Sequence, residues 1–223
     1  MNPTAATTTV TVFVDWNSQI FILGLSEHSN EPWFVEKMFD RLFRRISKAL
    51  DSAGVEGNRK LILRLYYGWY KGFEQQVSRR RVSAFVASHE FISVTQSQNT
   101  LVSRVEFGDR LLSAADARLH GRLQIHLPNT FRNGIGPNKP PYEKMVDTAL
   151  ASDFLVWGFG VSDSIGPLCD SDCALVMAED DDVWPPLLAA EPFWVRRGAS
   201  AFVVQRNLPS ADMPRVSGLA INM

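Results

Sequence analysis

The segment VTVFVDWNSQI, residues 10–20, contains the pattern that decides the fold. Its first part is a nearly continuous run of β-branched and aromatic residues, which predicts a buried strand over residues 9–15. The run stops at Asp15, and polar Asn17 and Ser18 follow. A buried strand that ends in a carboxylate and an amide is typical of parallel sheets, in which ligands bind at the carboxyl ends of the strands.

Two kinds of pattern alternate along the rest of the chain: apolar residues at helical spacing predict helices, and runs of β-formers predict strands. The predicted helices cover residues 33–50, 74–88 and 142–159, with a Pro-broken helix or turn over 183–199. The predicted strands cover residues 60–67, 91–98, 101–107, 122–128, 173–177 and 200–205. Gly, Pro and Asn predict a loop over residues 130–142. Together these elements predict an α/β fold with three layers and a mostly parallel central sheet.

The bulk composition excludes several classes of protein. The chain has 223 residues, 45% of them hydrophobic and 21% charged, as in an ordinary globular protein. No stretch of 18 uncharged apolar residues predicts a transmembrane helix, and the first residues lack the pattern of a signal peptide, which predicts a cytoplasmic protein with no membrane contact. Cys169 and Cys173 lack the nearby His of a zinc site, and we interpret both as unreactive thiols.

The charge is unevenly distributed along the chain. Residues 59–144 contain fourteen Lys or Arg and six Asp or Glu, a net charge of +8, which leaves −9 on the remainder. A basic face attracts polyanions, and nucleic acid is the commonest of them. The alternative is an ordinary solvated surface whose charges cluster along the sequence.

Acidic residues occur at three places where the predicted fold puts ligand chemistry. Asp15 follows the first strand, Asp147 lies on the helix after the long loop, and Asp180 and Asp182 follow a later strand. If the two strands are neighbours, about 5 Å apart, the carboxylates share a small volume and their repulsion raises their pKa values. A divalent cation commonly offsets such repulsion, and ligands that are all oxygen suit Mg²⁺ or Mn²⁺ better than zinc.

A carboxylate-held metal ion beside a basic surface indicates phosphate chemistry, because the ion can activate water and neutralise charge on a phosphodiester. Asn17 is close enough to Asp15 in sequence to orient a ligand water. Lys144 precedes Asp147 by three residues and could meet a substrate phosphate. Each acid also has an ordinary alternative, since a strand-tip Asp often caps a helix and residues 179–182 could form a solvated loop.

Four motifs, in this order, resemble those of NYN domains, the PIN-like nucleases. They are VFVDWNS (12–18), RLYYGWY (64–70), EKMVDTALASDFL (143–155) and ALVMAEDDDVWPPLL (174–188). The resemblance implies a Rossmann-like sandwich that forms one domain over residues 9–205. Within that domain, residues 90–142 would be an elaborated basic insertion or loop region, and residues 206–223 would be an irregular C-terminal tail.

The resemblance also implies roles for individual residues. The catalytic and metal-binding acids would be Asp15, Asp147, Asp180 and Asp182, with Asn17 as a catalytic companion. Asp153 matches a second helical acid of the family, but six residues from Asp147 is about 240° around a helix, so we expect a supporting role. The predicted RNA contacts are Lys144, Arg79, Arg80, Arg81 and Trp69. Trp69 and its neighbours Tyr66, Tyr67 and Tyr70 could stack on bases, or they could belong to the core.

The family pattern is not complete, which keeps more than one function open. Ala178 and Glu179 stand where the family has Ser-Gly, and Val183 stands where it has Phe. The leading hypothesis is a Mg²⁺- or Mn²⁺-dependent endoribonuclease that leaves a 5′-phosphate and a 3′-hydroxyl. The alternatives are a non-catalytic RNA-binding or protein-interaction module on the same fold, or a phosphatase or nucleotide-binding enzyme. Against the phosphatase or nucleotide-binding enzyme, the sequence has no Gly-rich phosphate loop after the first strand. Whether the chain forms a homodimer is also open.

Overall fold

The structure is a computed structural model that describes residues 7–24, 33–89, 99–115, 127, 129–134, 139–160, 171–206 and 220–222. Its strands are β1 (Thr7–Asp15), β2 (Asn58–Tyr66), β3 (Tyr70–Lys71), β4 (Glu74–Gln75), β5 (Thr100–Phe107), β6 (Phe131–Arg132), β7 (Tyr142–Glu143), β8 (Cys173–Met177), β9 (Ser200–Gln205) and β10 (Ala220–Asn222). Its helices are α1 (Trp16–Ile22), α2 (Trp33–Ser52), α3 (Val77–Ser88), α4 (Val146–Phe159) and α5 (Trp184–Arg196).

The central sheet has the order β10-β9-β8-β1-β2-β5, and every neighbouring pair of its strands is parallel. Five strands are long and β10 adds a short edge. Side chains alternate between the two faces of the sheet, as the pleat requires. In β1, Val12 and Val14 pack in one core cluster with α1, α2 and α3, whereas Phe13 packs in a second cluster with α4 and α5. The predicted three-layer α/β sandwich with a parallel sheet is therefore confirmed.

The order of the strands determines where a ligand can bind. From β1 the chain proceeds outward through β2 to β5, then returns to β8 on the other side of β1 and continues to β9 and β10. The direction of winding thus changes between β1 and β8. In doubly wound sheets, ligands bind in the crevice at the carboxyl ends of the two strands that flank this switch point.

Several element boundaries differ from those predicted. The helices expected from residues 74 and 142 begin later, at Val77 and Val146, because the short strands β4 and β7 precede them. The Pro-rich segment forms a continuous helix, α5, in which Pro185 and Pro186 occupy the first turn, where a missing backbone N–H costs nothing. The predicted loop over residues 130–142 contains β6 and the start of β7, which pair as a short hairpin, and a second hairpin, β3–β4, lies between β2 and α3.

The C-terminal tail was expected to be irregular, and this was wrong for Ala220–Asn222, which pair with β9 as strand β10. The predicted strand over residues 91–98 lies outside the described residues, as does that over 122–128 except for residue 127. Across the described segments, every helix is too short or too polar to cross a membrane.

Candidate carboxylate site

Asp15 is the last residue of β1 and lies in register with Tyr66 at the end of β2. It also caps α1: its carboxylate accepts the backbone N–H groups of Asn17 at 3.1 Å and Ser18 at 3.4 Å. This explains why a buried strand ends in a carboxylate, because Asp is among the best residues for satisfying the unpaired N–H groups of a helix start. The residue is only 8% exposed.

Burial is the largest influence on the ionisation of Asp15, and it raises the pKa of this carboxyl to about 6. The negative charge of Asp147 raises it further, whereas the hydrogen bonds from Ser18 and Asn17 act in the opposite direction. Asp15 and Asp147 are 132 positions apart in sequence. Their interaction shows that the fold brings the tip of β1 and the start of α4 together.

Asp147 lies at the surface in the first turn of α4. Its carboxyl also has a raised pKa, caused first by partial burial and then by the negative charges of Asp180 and Asp182. The residue before the helix, Met145, has a left-handed backbone with φ of 66°. Such a conformation is uncommon for a residue with a long side chain, and it turns the chain sharply from β7 into α4.

Asp180 and Asp182 lie on the loop that follows β8, and both are exposed. The Asp180 carboxylate accepts the Asp182 backbone N–H at 3.1 Å and so caps a short 3₁₀ turn, Asp181–Val183, that leads into α5. The negative charges of both acids raise the pKa of Asp147, and the charge of Asp147 in turn raises the pKa of Asp15. The predicted acids are therefore linked electrostatically, with Asp147 at the centre, at the carboxyl edge of β1 and β8.

The positions of these side chains determine whether they can bind one metal ion. Among the residues that the structure describes, no three His, Cys, Asp or Glu side chains are grouped closely enough to hold a metal ion. A site that uses all four predicted acids as direct ligands is thus not assembled in this arrangement. The chemistry of the donors still fits Mg²⁺ or Mn²⁺, because Mg²⁺ keeps several waters and commonly needs only one or two carboxylates.

Asn17 and Lys144, the two predicted companions of the acids, are both exposed at this edge of the sheet. The Asn17 backbone N–H donates to Asp15, and the Asn17 residue is exposed. The Lys144 backbone N–H donates to the carbonyl of Thr130 at 2.9 Å, which fixes the chain just before α4.

Glu179 stands where the resemblance led us to expect glycine, and it has a structural role that the sequence did not reveal. Its carboxylate accepts the Arg45 side chain at 3.1 Å and the Arg206 backbone N–H at 3.0 Å. The buried Arg45 also donates to Gln19 at 2.6 Å. In the described residues, positive φ at a non-glycine residue occurs only at Asn129 and Met145, so the turn at Glu179 does not require glycine. These contacts anchor the loop that carries Asp180.

Arg79 was predicted to contact RNA, but the structure buries it. Its Nε atom donates to Asp109 at 2.8 Å, and its guanidinium lies 3.3 Å from the centre of the Phe107 ring. Arg79 therefore holds α3 against the end of β5. Helical spacing contained the necessary signal, because Arg79 precedes the inward-facing Val82 by three residues. The neighbouring Arg80 and Arg81 are exposed, as an RNA contact requires.

The prediction that Trp69 stacks on RNA bases was also wrong. Trp69 is buried, its Nε1 atom donates to the Leu65 carbonyl at 3.1 Å, and its ring packs against Trp16 and Phe107. The same holds for the other aromatic residues of this segment, which are all buried: Tyr66, Tyr67 and Tyr70. The alternative that these residues belong to the core is the one that the structure supports.

Asp153 is 0% exposed and faces the sheet. Its carboxylate accepts the Arg64 Nε at 2.8 Å, the Tyr66 hydroxyl at 2.8 Å and the Leu112 backbone N–H at 2.6 Å. Burial raises the pKa of the Tyr66 phenol well above its usual value, so the hydroxyl stays protonated and donates. This network fastens α4, and with it Asp147, to β2.

The described cysteine, Cys173, is buried, and burial raises the pKa of its thiol to about 12. Such a thiol is protonated and unreactive at neutral pH, as the sequence predicted. Cys169 lies outside the described residues.

Comparison of the chain with family models, with curated proteins and with solved structures found no match. The resemblance to NYN domains therefore stays a prediction from four short motifs.

The pKa of Asp15 predicts an unusual pH dependence of stability. In the folded chain this pKa is about 6, above the ordinary value of 3.8, so the wild type loses stability as pH rises between these values. Asp15→Asn keeps a capping side chain and removes the buried charge. We expect its free energy of unfolding to exceed that of the wild type by up to about 3 kcal/mol above pH 6, and the two to converge near pH 4.

Urea unfolding in EDTA at about pH 4 and about pH 8 measures this difference. Asp181→Asn is the matched control, because Asp181 is exposed and its replacement should change stability little at either pH. A variant at Asp15 that is no more stable than the wild type at the higher pH would contradict the prediction.

Proposed function

We propose that the chain is a Mg²⁺- or Mn²⁺-dependent endoribonuclease. The observation that carries the proposal is the electrostatic link between Asp147 and the acids at the ends of two other elements: Asp15 after β1, and Asp180 and Asp182 after β8. This link lies at the switch point of the sheet, where doubly wound folds bind their ligands. Fixed carboxylates at such a place favour a divalent cation, and a divalent cation favours a phosphate substrate.

The acids Asp15, Asp147, Asp180 and Asp182 are the candidates for holding the ion. When bound, the ion would activate water and neutralise the charge that develops on the phosphodiester. The chain itself contributes orientation. Backbone N–H groups of Asn17 and Ser18 fix the Asp15 carboxylate, and the pair Arg45–Glu179 holds the loop that presents Asp180. The exposed ammonium group of Lys144 is suited to meet a substrate phosphate near Asp147.

A non-catalytic RNA-binding or protein-interaction module is the second candidate. The observation that favours it is the lack of any three metal-binding side chains in one group within the described segments. This candidate predicts binding without metal-dependent turnover.

Incubation of the wild-type chain with an end-labelled structured RNA, in Mn²⁺ and in EDTA, separates these two functions. We expect cleavage in Mn²⁺ alone, with a 5′-phosphate and a 3′-hydroxyl at each cut, because an activated water attacks the phosphorus. Equal cleavage in EDTA, or ends that carry a 2′,3′-cyclic phosphate, would reject the proposal. Binding of the RNA with no cleavage in either condition would support the second candidate.

A further inference from the structure

Two short hairpins, β3–β4 and β6–β7, lie side by side beyond the end of β2. The Tyr70 backbone N–H donates to the Thr130 hydroxyl at 3.0 Å. Gly72 and Asn129 are joined twice: the Asn129 N–H donates to the Gly72 carbonyl at 2.7 Å, and the Gly72 N–H donates to the Asn129 side chain at 3.2 Å. These bonds make one unit of residues 70–75, 129–132 and 142–144, which we call the paired hairpins.

The paired hairpins border the carboxylate site. Residue Tyr66, from which the chain runs into the first hairpin, lies in register with Asp15, and Lys144 at the end of the second precedes Asp147 by three residues. The turn between β2 and β3 is bound to β7, because the Gly68 backbone N–H donates to the Glu143 carboxylate. A Cβ atom at Gly68 would lie 2.8 Å from the Phe131 ring, so only glycine allows this close approach.

The paired hairpins expose aromatic rings. Phe73, at the turn of the first hairpin, is 78% exposed, and Tyr142, on β7, is 39% exposed. Tyr142 is paired across the second hairpin with Arg132. This contrasts with the buried aromatic residues of the preceding turn, such as Trp69. Phe73 contributes little to the core of the described residues, and a ring exposed at a hairpin tip is available to stack on a ligand.

The same surface carries a small excess of positive charge. Within the paired hairpins, Lys71, Arg132 and Lys144 outnumber the acids Glu74 and Glu143. The Glu143 carboxylate is, moreover, already engaged by the Gly68 N–H. Arg80 adjoins this surface, since its side chain donates to the Gln75 carbonyl at 3.0 Å. Exposed aromatic rings among lysines and arginines are the combination that binds single-stranded nucleic acid, by stacking on the bases and by neutralising the phosphates.

We infer that the paired hairpins bind single-stranded RNA and lead it to the carboxylate site, with bases stacked on Phe73 and Tyr142 and phosphates held by Lys71 and Lys144. The choice of RNA rests on the proposed function. The exposed aromatic residues favour single-stranded over duplex RNA. Bases inside an A-form helix are stacked on one another and cannot reach these rings.

Fluorescence anisotropy in EDTA tests this inference, with a labelled uridine-rich RNA of about 12 nucleotides and a duplex of the same length. We expect Phe73→Ala and Tyr142→Ala each to weaken binding of the single strand by about 5- to 100-fold, the usual effect of losing one stacked base. Lys71→Ala with Lys144→Ala should weaken binding and reduce its dependence on salt. Phe193→Ala is the control, since Phe193 is 43% exposed on α5 in another layer of the fold.

The inference would be overturned if Phe73→Ala and Tyr142→Ala bind like the wild type, or if a duplex binds as tightly as the single strand. An equal loss in Phe193→Ala would do the same, because it would show that the effect is not local. Since EDTA prevents metal-dependent cleavage, the binding result is independent of catalysis. Weakened binding in the hairpin variants, combined with a wild type that never cleaves RNA, would retain the inference and reject the proposed nuclease activity.

Discussion

Asp147→Asn is expected to lower metal-dependent RNA cleavage on the order of 10²- to 10³-fold, the range seen when one charge-stabilising group is removed from an active site. Asp147 interacts electrostatically with each of the other three acids, so its replacement removes the charge that connects Asp15 with Asp180 and Asp182. The residue lies at the surface, and its replacement relieves repulsion. A loss of activity would therefore not reflect unfolding. Single-turnover cleavage of an end-labelled RNA in Mn²⁺, with unfolding curves for the same preparations, measures both quantities.

Asp181→Asn is the control for this experiment. Asp181 lies between Asp180 and Asp182 and is equally exposed, but it is not among the acids that raise the pKa of Asp147. Its replacement removes the same unit of charge from the neighbouring loop and should leave cleavage nearly unchanged. Full activity in Asp147→Asn would refute the assignment of this site. An equal loss in both variants would mean that the acids act only through the total negative charge at this edge of the sheet.

Arg64→Met is expected to have the largest effect on stability, a loss of about 3–5 kcal/mol at neutral pH. Arg64 lies in β2 and binds Asp153 at 2.8 Å and Glu106 at 3.0 Å. Without it, the fully buried Asp153 would keep a charge that no cation balances. Arg64 is the largest influence that opposes the effect of burial on the pKa of Asp153, so in the variant that pKa rises. The deficit should therefore be greatest at high pH and shrink as Asp153 takes up a proton.

Arg104→Met provides the comparison for Arg64→Met in urea unfolding at several pH values. Arg104 binds Glu106 at 2.6 Å, but its side chain is 55% exposed, so its loss should cost less than about 1 kcal/mol. If Arg64→Met yields no folded protein, Arg64→Lys keeps a charge near Asp153 and should show the same trend with a smaller deficit. A deficit that is the same at every pH would rule out the buried carboxylate as its cause.

The strands and helices that carry the site could be predicted because their patterns are local. The apolar run of β1, the helical spacing of α2 and the short strand β8 each identify an element without reference to the rest of the chain. The placement of polar residues at the strand tips then follows from the geometry of parallel sheets. This geometry applies to the acids after β1 and β8, whereas the role of Asp147, which lies on helix α4 and is 132 positions from Asp15, was implied by the resemblance to NYN domains.

The residues expected to bind RNA were harder to predict, because exposure depends on tertiary partners. Helical spacing from Val82 places Arg79 on the buried face of α3, but its tertiary partners, Asp109 and Phe107, become evident only in the folded chain. The presence of Glu179 at the expected glycine position is explained by its bond to Arg45, a residue 134 positions away. Conversely, Phe73 appears unremarkable in the sequence and becomes notable only because the fold exposes it at a hairpin turn.

Strand β10 has a practical consequence for the preparation of shortened forms of the protein. Ala220–Asn222 cover the free hydrogen-bonding edge of β9, whose residues Val203 and Val204 are buried. A form that ends before residue 220 would leave that edge open, and an open, apolar sheet edge is a template on which another chain can add. Low solubility or self-association of such a form would then reflect the missing cap, and a charged residue placed on β9 would be the remedy to try.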